Sequence, residues 1–240
     1  MTTAPNNPKP RRRFWQYSLR TFFLLLTVFG VWLGWMVHRV NERREVARWI
    51  REMGGTFQYD FQLNERGDRI EDAQPPGPDW LRERIGIEWF ADVVKVEFYG
   101  APTTDMGPLS KLPELRHVSF GKTPITDLSP FANLTKLELL YLNDTRVSDL
   151  TPLASATSLE MLFLDDTQVS DITPLSHLTN LKLLNLYGTQ VSDVTPIHGL
   201  TSLESLNINA ARVSKEDYKS LKQALPGCNI YWFPRLNRSR

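Results

Sequence analysis

LELLYLNDTRVSDLTPL, the stretch Leu137–Leu153, contains the pattern that decides the fold. It opens with the spacing apolar-x-x-apolar-x-apolar, at Leu137, Leu140 and Leu142. The same pattern recurs seven times at a constant step of 22 residues, and its units begin at Val93, Leu115, Leu137, Leu159, Leu181, Leu203 and, in degenerate form, Leu225. A fixed period of this length predicts a solenoid, in which each unit buries its apolar residues by stacking on its neighbours.

The second half of each unit predicts a turn and a short helical segment. Thr145 and Val147 are followed by Asp149 and then by the pair Thr151-Pro152, and the neighbouring units repeat these residue types. A hydroxyl residue before proline is typical of a helix N-cap with proline at the first helical position. The aspartate column consists of Asp127, Asp149, Asp171 and Asp193. It fits either turn caps or a ladder of calcium ligands, and turn capping is the simpler interpretation.

These units resemble leucine-rich repeats, and Leu137–Leu153 is similar to the 22-residue repeats of internalin-type bacterial proteins. The resemblance covers about residues 93–232 and implies an α/β leucine-rich-repeat solenoid, with one parallel β-strand and short helical turns in each repeat. Threonine stands where the family usually has a turn-bonding asparagine, and its hydroxyl can replace that side chain in part. The layout also resembles bacterial single-pass membrane proteins that share the Ser18–Phe22 start and the Pro75–Pro78 segment. Such a fold specifies no activity by itself.

An apolar run near the N-terminus predicts a single transmembrane helix. Thr21–Val37 carries no formal charge, and as a helix it spans about 26 Å, short but sufficient for a bilayer. Neither alternative fits as well: a cleaved signal peptide lacks its small-residue cleavage site here, and a buried soluble helix is not expected beside an arginine-rich leader. Five Lys/Arg flank the run on each side, so positive charge leaves the topology open. The acidic residues lie on the C-terminal side only, which favours a repeat domain outside the cytoplasm.

The sequence divides into seven segments along the chain. They are a disordered basic leader (1–18), the transmembrane helix (19–38), a juxtamembrane helix (39–55), an N-terminal cap (56–92), the leucine-rich repeats (93–213), a C-terminal cap (214–234) and a tail (235–240). In the juxtamembrane helix an apolar stripe is formed by Val46, Trp49, Ile50 and Met53. This stripe fits either packing on the following domain or self-association, and the sequence does not separate the two.

Charge and residue types exclude several function classes. The formal net charge of +1 sums a basic segment 1–53 (net +7), an acidic body 54–213 (net −10) and a basic end 214–240 (net +4). An acidic repeat body argues against nucleic acid as a partner, whereas the basic anchor suits lipid headgroups. The single cysteine, Cys228, precludes a disulfide within the chain, and we expect it to be buried and inert. No catalytic or metal-binding motif is present, so we expect no enzyme activity, no metal and no cofactor.

The residues between the apolar positions of each strand point to the open face, because side chains alternate along a strand. In the middle repeats the outward positions carry apolar and aromatic side chains within a polar rim, namely Leu139, Tyr141, Met161, Phe163, Leu183 and Tyr187. Apolar clusters of this kind are typical of protein-binding surfaces, although they also fit repeat filler whose members shield one another.

Two functions from different classes follow. The favoured hypothesis is a membrane-anchored, non-enzymatic module that binds a protein or peptide on the concave strand face. Its partners would then be membrane lipid along residues 19–38 and a protein or peptide ligand. The alternative is a structural cell-envelope protein that self-associates through its anchor and juxtamembrane helix. The sequence does not fix the oligomeric state.

Overall fold

The computed structural model describes residues 19–64 and 67–233. The predicted leader 1–18 and tail 235–240 therefore lie outside the described residues. The contacts divide the chain into two compact units, residues 1–41 and residues 42–240. The second unit contains one eight-stranded sheet in which the strands follow one another in chain order.

Seven parallel strands and one antiparallel strand form this sheet. The strands are β1 (Thr56–Tyr59), β2 (Val93–Tyr99), β3 (His117–Gly121), β4 (Leu139–Tyr141), β5 (Met161–Phe163), β6 (Leu183–Asn185), β7 (Ser205–Asn207) and β8 (Asn229–Tyr231). β1 pairs antiparallel with β2, and every later pair is parallel. From β2 to β7 each residue pairs with the residue 22 positions further on, as Leu140 does with Leu162. The predicted solenoid of parallel strands is confirmed. The predicted step of 22 is wrong for the last unit, because Leu206 pairs with Ile230, 24 positions further on, and not with Cys228.

The core consists of the repeated apolar columns. Leu137, Leu140 and Leu142 are fully buried, and so are their equivalents Leu159, Leu162 and Leu164 in the next repeat. Short 3-10 turns oppose the sheet, at Gly107–Lys111, Ser129–Phe131, Thr151–Ser155, Thr173–Leu175 and Thr195–Ile197. Each turn contributes one buried apolar residue, such as Leu153. The strands and turns therefore form two layers around one continuous core.

The structure corrects the predicted capping of these turns. The hydroxyl residue is the first residue of the 3-10 turn and proline the second, so Ser129 and Thr151 are not N-caps. The preceding aspartate supplies the cap, because the Ser129 N–H donates to Asp127 Oδ1 at 2.7 Å and the Thr151 N–H to Asp149 Oδ1 at 2.8 Å. Hydrogen bonds from the Thr151 hydroxyl and N–H hold the pKa of Asp149 below its usual value. The interpretation of the aspartate column as turn caps is confirmed.

Threonine takes over part of the turn bonding that asparagine performs in similar repeats. The hydroxyls of Thr145, Thr167 and Thr189 are buried and donate to the carbonyl oxygen three residues earlier, at 2.7–2.8 Å. The equivalent hydroxyl of Thr123 is buried without a partner. The residue before each threonine has a positive φ, at Lys122, Asp144, Asp166 and Gly188. Strands β3 to β6 are therefore each followed by a tight turn in which one residue has the left-handed backbone conformation.

The N-terminal helix α1 (Leu19–Glu52) has an apolar part and a charged part. In the first unit its apolar side chains from Leu19 to Val37 are mostly exposed, and the helix is long and apolar enough to cross a membrane. In the second unit Val46 and Ile50 are buried in the core, and the Trp49 ring packs edge-on against Phe98, with centroids 5.5 Å apart. The apolar stripe of the juxtamembrane helix is therefore used inside the protein. This finding removes the stripe as a free self-association surface.

Arginine side chains hold the N-terminal cap together. Arg43 forms an ion pair with Asp92 and donates to the Glu88 carbonyl oxygen at 3.0 Å. Arg44 pairs with Glu88 at 3.2 Å and donates to the last carbonyl oxygen of α2 (Asp79–Ile85).

Arg82 donates to the carbonyl oxygens of Pro75 and Gly77, and so it fixes the proline-rich loop before α2.

The C-terminal cap closes the other end of the core. α3 (Lys215–Ala224) begins after Ser214, whose hydroxyl oxygen accepts a hydrogen bond from the Asp217 N–H at 3.1 Å, as the sequence predicts. Tyr218 stacks on Trp232 with ring centroids 4.8 Å apart. Cys228 is buried as expected, and burial raises the pKa of its thiol.

Candidate functional site

The concave face of the sheet brings five of the six predicted site residues into direct contact range. Leu139, Met161 and Leu183 are register partners on β4, β5 and β6. Tyr141 and Phe163 are register partners one column further along the same strands. Adjacent strands lie about 4.8 Å apart, so these five side chains form one continuous strip. We call them the apolar strip.

The aromatic pair is the centre of the strip. The rings of Tyr141 and Phe163 stack with centroids 4.2 Å apart and an interplanar angle of 16°. Both side chains are half-buried, and burial raises the pKa of the Tyr141 hydroxyl. Stacking hides part of each ring and leaves the remainder on an open surface.

Tyr187, the sixth residue, lies at the rim. It follows β6, and 41% of its surface is exposed. Its N–H donates to Asn185 Oδ1 at 3.1 Å, which fixes the backbone where the strand ends. The structure therefore places Tyr187 beside the strip and not within it.

A row of polar side chains borders the strip on the side where the strands end. Asn185 Nδ2 donates to Asp165 Oδ1 at 2.6 Å, and Asn143 Oδ1 accepts a hydrogen bond from the Asp165 N–H at 3.2 Å. The other carboxylate oxygen, Asp165 Oδ2, is buried without a hydrogen-bond partner. Burial raises the pKa of Asp165, and the nearby carboxylates of Asp166 and Asp144 add to this effect. A carboxylate with one unpaired oxygen therefore lies immediately beside the aromatic pair.

A loop from the N-terminal cap covers the first strands of the concave face. Leu63 and Arg69 form an isolated antiparallel bridge, and the Asp68 N–H donates to Asn64 Oδ1 at 3.0 Å. Gly67, with φ of +80°, packs on the His117 ring so closely that a Cβ would lie 2.2 Å from a ring carbon. This position therefore requires glycine both for its conformation and for its contact.

A cavity of about 340 Å³ lies between this loop and the apolar strip. Its lining includes Lys95, Glu97, Ser119 and the loop residue Asp68 together with Leu139, Tyr141 and Met161 from the strip. Lys95 Nζ and Glu97 Oε1 form an ion pair at 3.1 Å within the lining. The strip therefore has a polar, partly covered compartment at its N-terminal end. Sequence reasoning missed this compartment, because the only signal was a polar segment around Asn64–Asp72 whose long-range contact no local pattern reveals.

His117 lies beneath the loop and borders that compartment. Its Nε2 is 3.5 Å from a carboxylate oxygen of Glu138. Burial lowers the pKa of His117, and Lys95 and Arg116 act in the same direction, whereas Glu138 opposes them. The imidazole is therefore neutral under the loop at neutral pH.

The concave face continues beyond the apolar strip toward the C-terminus. A second cavity, of about 310 Å³, is lined by Phe163, Leu183, Asn185, Asn207 and Tyr231, among others. Tyr231 and Phe233 are strongly exposed at the last strand. Tyr231 continues the outward column of Asn207, with which it pairs 24 positions further on. A count at the 22-residue step would have placed Tyr231 one column away and Phe233 level with the buried Ala211, so the sequence pattern does not find them.

The acidic and histidine side chains of the described residues are distributed over separate turns and strands. Across residues 19–64 and 67–233, no set of three or more His, Cys, Asp or Glu side chains is arranged to hold a metal ion. The four caps Asp127, Asp149, Asp171 and Asp193 are each used by their own turn. What the face offers is an apolar strip between two polar compartments, an arrangement suited to binding.

The repeats match a family model described as leucine-rich repeats in two copies, over residues 113–155, 135–177 and 157–197. The chain carries leucine-rich repeats, as the sequence predicts. Comparison with curated protein sequences gives no match.

The solved structures that match this chain include the following three. A leucine-rich-repeat protein from Leptospira interrogans is 21% identical over 57% of this chain and 36% of its own, with a TM-score of 0.54. An internalin from Listeria monocytogenes is 24% identical over 65% of this chain and 53% of its own, with a TM-score of 0.47. Internalin C2 from the same organism is 26% identical over 60% and 75%, with a TM-score of 0.46. The chain thus matches about half of the first internalin and about a third of the Leptospira protein.

His117 makes the stability of the fold depend on pH. Because its pKa is lowered in the folded state, the unfolded chain binds more protons below about pH 6.5, and stability falls as the pH drops through that value. We expect His117→Gln to lose less unfolding free energy than wild type between about pH 7.5 and about pH 5.5. Denaturant unfolding in detergent micelles measures the difference. The matched substitution His177→Gln, at an exposed position, should retain the wild-type loss, and an equal loss in both variants contradicts the assignment.

Proposed function

We propose that this leucine-rich-repeat chain is a membrane-anchored, non-enzymatic module that binds a protein or peptide on its concave strand face. The observation that carries the proposal is the half-exposed Tyr141–Phe163 stack within the apolar strip. Aromatic side chains of this kind supply large contact area with little conformational entropy to lose, and they dominate the energetics of protein interfaces.

The strip is better explained as a binding surface than as structural filler. In the column of Tyr141 and Phe163, the flanking repeats carry Ser119, Asn185 and Asn207 at equivalent register positions. The column of Leu139 likewise carries Ser205 and Asn229 after Leu183. Because the same strand geometry accepts polar side chains at these positions, the fold does not require apolar ones. An exposed apolar cluster that the fold does not require supports a role in contact with a partner.

The self-association alternative has less support than binding. Its motivation was the stripe of Val46, Trp49, Ile50 and Met53, and these residues are buried in or packed against the core. Of the two elements on which this hypothesis rests, the apolar run of α1 remains available. That run suits a membrane span by its length and composition.

We also propose that α1 is an uncleaved anchor and that the repeat domain lies outside the cytoplasm. Lys and Arg balance across the apolar run, so the orientation rests on the acidic residues Glu42, Glu45 and Glu52 on its C-terminal side. Acidic residues influence orientation only weakly.

Protease added to intact spheroplasts tests this topology. We expect the repeat domain of the expressed full chain to be cleaved from outside, with a cytoplasmic marker protein left intact. Protection of the repeat domain until the spheroplasts are lysed would place it in the cytoplasm and contradict the proposed orientation.

Photo-crosslinking in native membranes tests the binding face. A photo-reactive amino acid at Tyr187, on the rim of the strip, is expected to give a discrete adduct with a partner. The same group at Ser170, an exposed turn position, should give none. Tyr141→Arg combined with Phe163→Arg should abolish the Tyr187 adduct. The reason is that the two half-buried charges in the strip would lose hydration when an apolar surface of the partner packs on them.

Circular dichroism of the double variant provides the folding control for this experiment. A folded double variant that still gives the Tyr187 adduct at wild-type yield would exclude the concave strip as the contact surface.

A further inference from the structure

The concave face changes from apolar to acidic along one direction. Met161 and Phe163 are the outward side chains of β5, and Asp165 follows just after the end of the strand. Asp166 comes next, in the left-handed conformation of the turn. The neighbouring repeat has Tyr141 and Asn143 at the equivalent outward positions and Asp144 in its turn. A partner lying across the strip therefore meets carboxylates immediately beyond the aromatic pair.

Three carboxylates lie close enough to influence one another. The negative charges of Asp166 and Asp144 both raise the pKa of Asp165. Asp166 leans across the turn of the next repeat, where a Cβ on Gly188 would come within 2.1 Å of Asp166 Oδ1. Gly188 thus leaves room for the carboxylate at the edge of the face.

Within residues 19–64 and 67–233, no salt bridge neutralises Asp144, Asp165 or Asp166. Asp144 contributes to the raised pKa of Lys122, after the hydrogen bond to Tyr99, and the Lys122 ammonium lies 5.6 Å from the centroid of the Tyr99 ring. Asp165 itself accepts one hydrogen bond from Asn185 and keeps Oδ2 buried and unpaired. Because Oδ2 is covered by the protein, a cation from outside the chain would act on this carboxylate through its charge and not through a bond to Oδ2.

The aromatic pair offers a second attraction for the same kind of group. One face of Phe163 is covered by Tyr141, and the other side borders the 310 Å³ cavity with Asn185 and Asn207. Cations are attracted to aromatic faces, arginine most often because its planar group stacks. A guanidinium in this cavity could stack on Phe163 and approach the carboxylate of Asp165.

We propose that the partner of the concave face presents an arginine or lysine next to an apolar side chain. The apolar side chain packs on Leu139, Tyr141 and Met161, and the cation lies against Phe163 within reach of Asp165 and Asp166. This inference rests on the proposed binding function and adds the chemistry of the ligand. Residues 93–213 contain 8 basic and 13 acidic residues. This net negative charge also favours a basic segment in the partner.

A random peptide library displayed on phage tests the proposal against the full chain in detergent micelles. We expect the enriched peptides to carry Arg or Lys within two positions of an aromatic or large aliphatic residue. Synthetic copies of those peptides should bind Asp165→Asn/Asp166→Asn about tenfold more weakly than wild type, with weaker salt dependence. Glu216→Gln, an exposed carboxylate on α3, is the matched control and should bind as wild type does.

Each outcome of this selection has a distinct meaning. Enriched peptides that are neutral or acidic, yet lose binding in Tyr141→Arg/Phe163→Arg, overturn the basic-ligand inference and leave the binding function standing. Enrichment of the same peptides by wild type and by that double variant, or no enrichment at all, counts against both. A circular dichroism spectrum of Asp165→Asn/Asp166→Asn that matches wild type assigns lost binding to the carboxylates and not to unfolding.

Discussion

The structure depends on one constraint, the parallel in-register pairing of strands separated by 22 residues. A strand of three residues buries too little surface to be stable alone, and it exists here because similar strands pair with it on both sides. The constraint also fixes the side chains, since register partners in successive repeats must face the same way. The buried columns of strands β2 to β7 are therefore uniformly apolar, whereas their outward columns are free to vary. That freedom makes the outward columns the part of the sequence that carries information about function.

Much of the fold could be predicted from the sequence, because a fixed period locates each strand from the position of the one before it. The apolar columns beginning at Val93 and Leu115 gave the strands, and the Ser214–Asp217 pattern gave the start of α3. Local patterns were less reliable for the turns. The Thr151-Pro152 pair predicts an N-cap followed by the first helical residue. In the short 3-10 turn, however, the carboxylate of Asp149, two residues earlier, accepts the hydrogen bond of the free Thr151 N–H. The choice of cap depends on backbone geometry that residue types alone do not specify.

The candidate site could be predicted only where it follows the repeats. Five of its six residues are register partners, so alternation along the strands was enough to bring them together. The loop over His117 was not predictable, because Gly67 and His117 are far apart in sequence and neither belongs to a shared pattern. The same holds for Arg43, Arg44 and Arg82, whose partners are backbone carbonyls and acids of the cap. Irregular segments thus determine the ends of the concave face, and the repeats determine its middle.

The central claim is that the aromatic pair serves contact with a partner and not the stability of the fold. The free energy of unfolding of Phe163→Asn tests it most directly, because asparagine already stands at the equivalent positions Asn185 and Asn207. We expect a loss of no more than about 1.5 kcal/mol, against about 2–5 kcal/mol for Leu162→Ala, its fully buried neighbour on the same strand. A loss of about 3–5 kcal/mol for Phe163→Asn, in the range for a core aromatic, would show that the strip is structural and contradict this account.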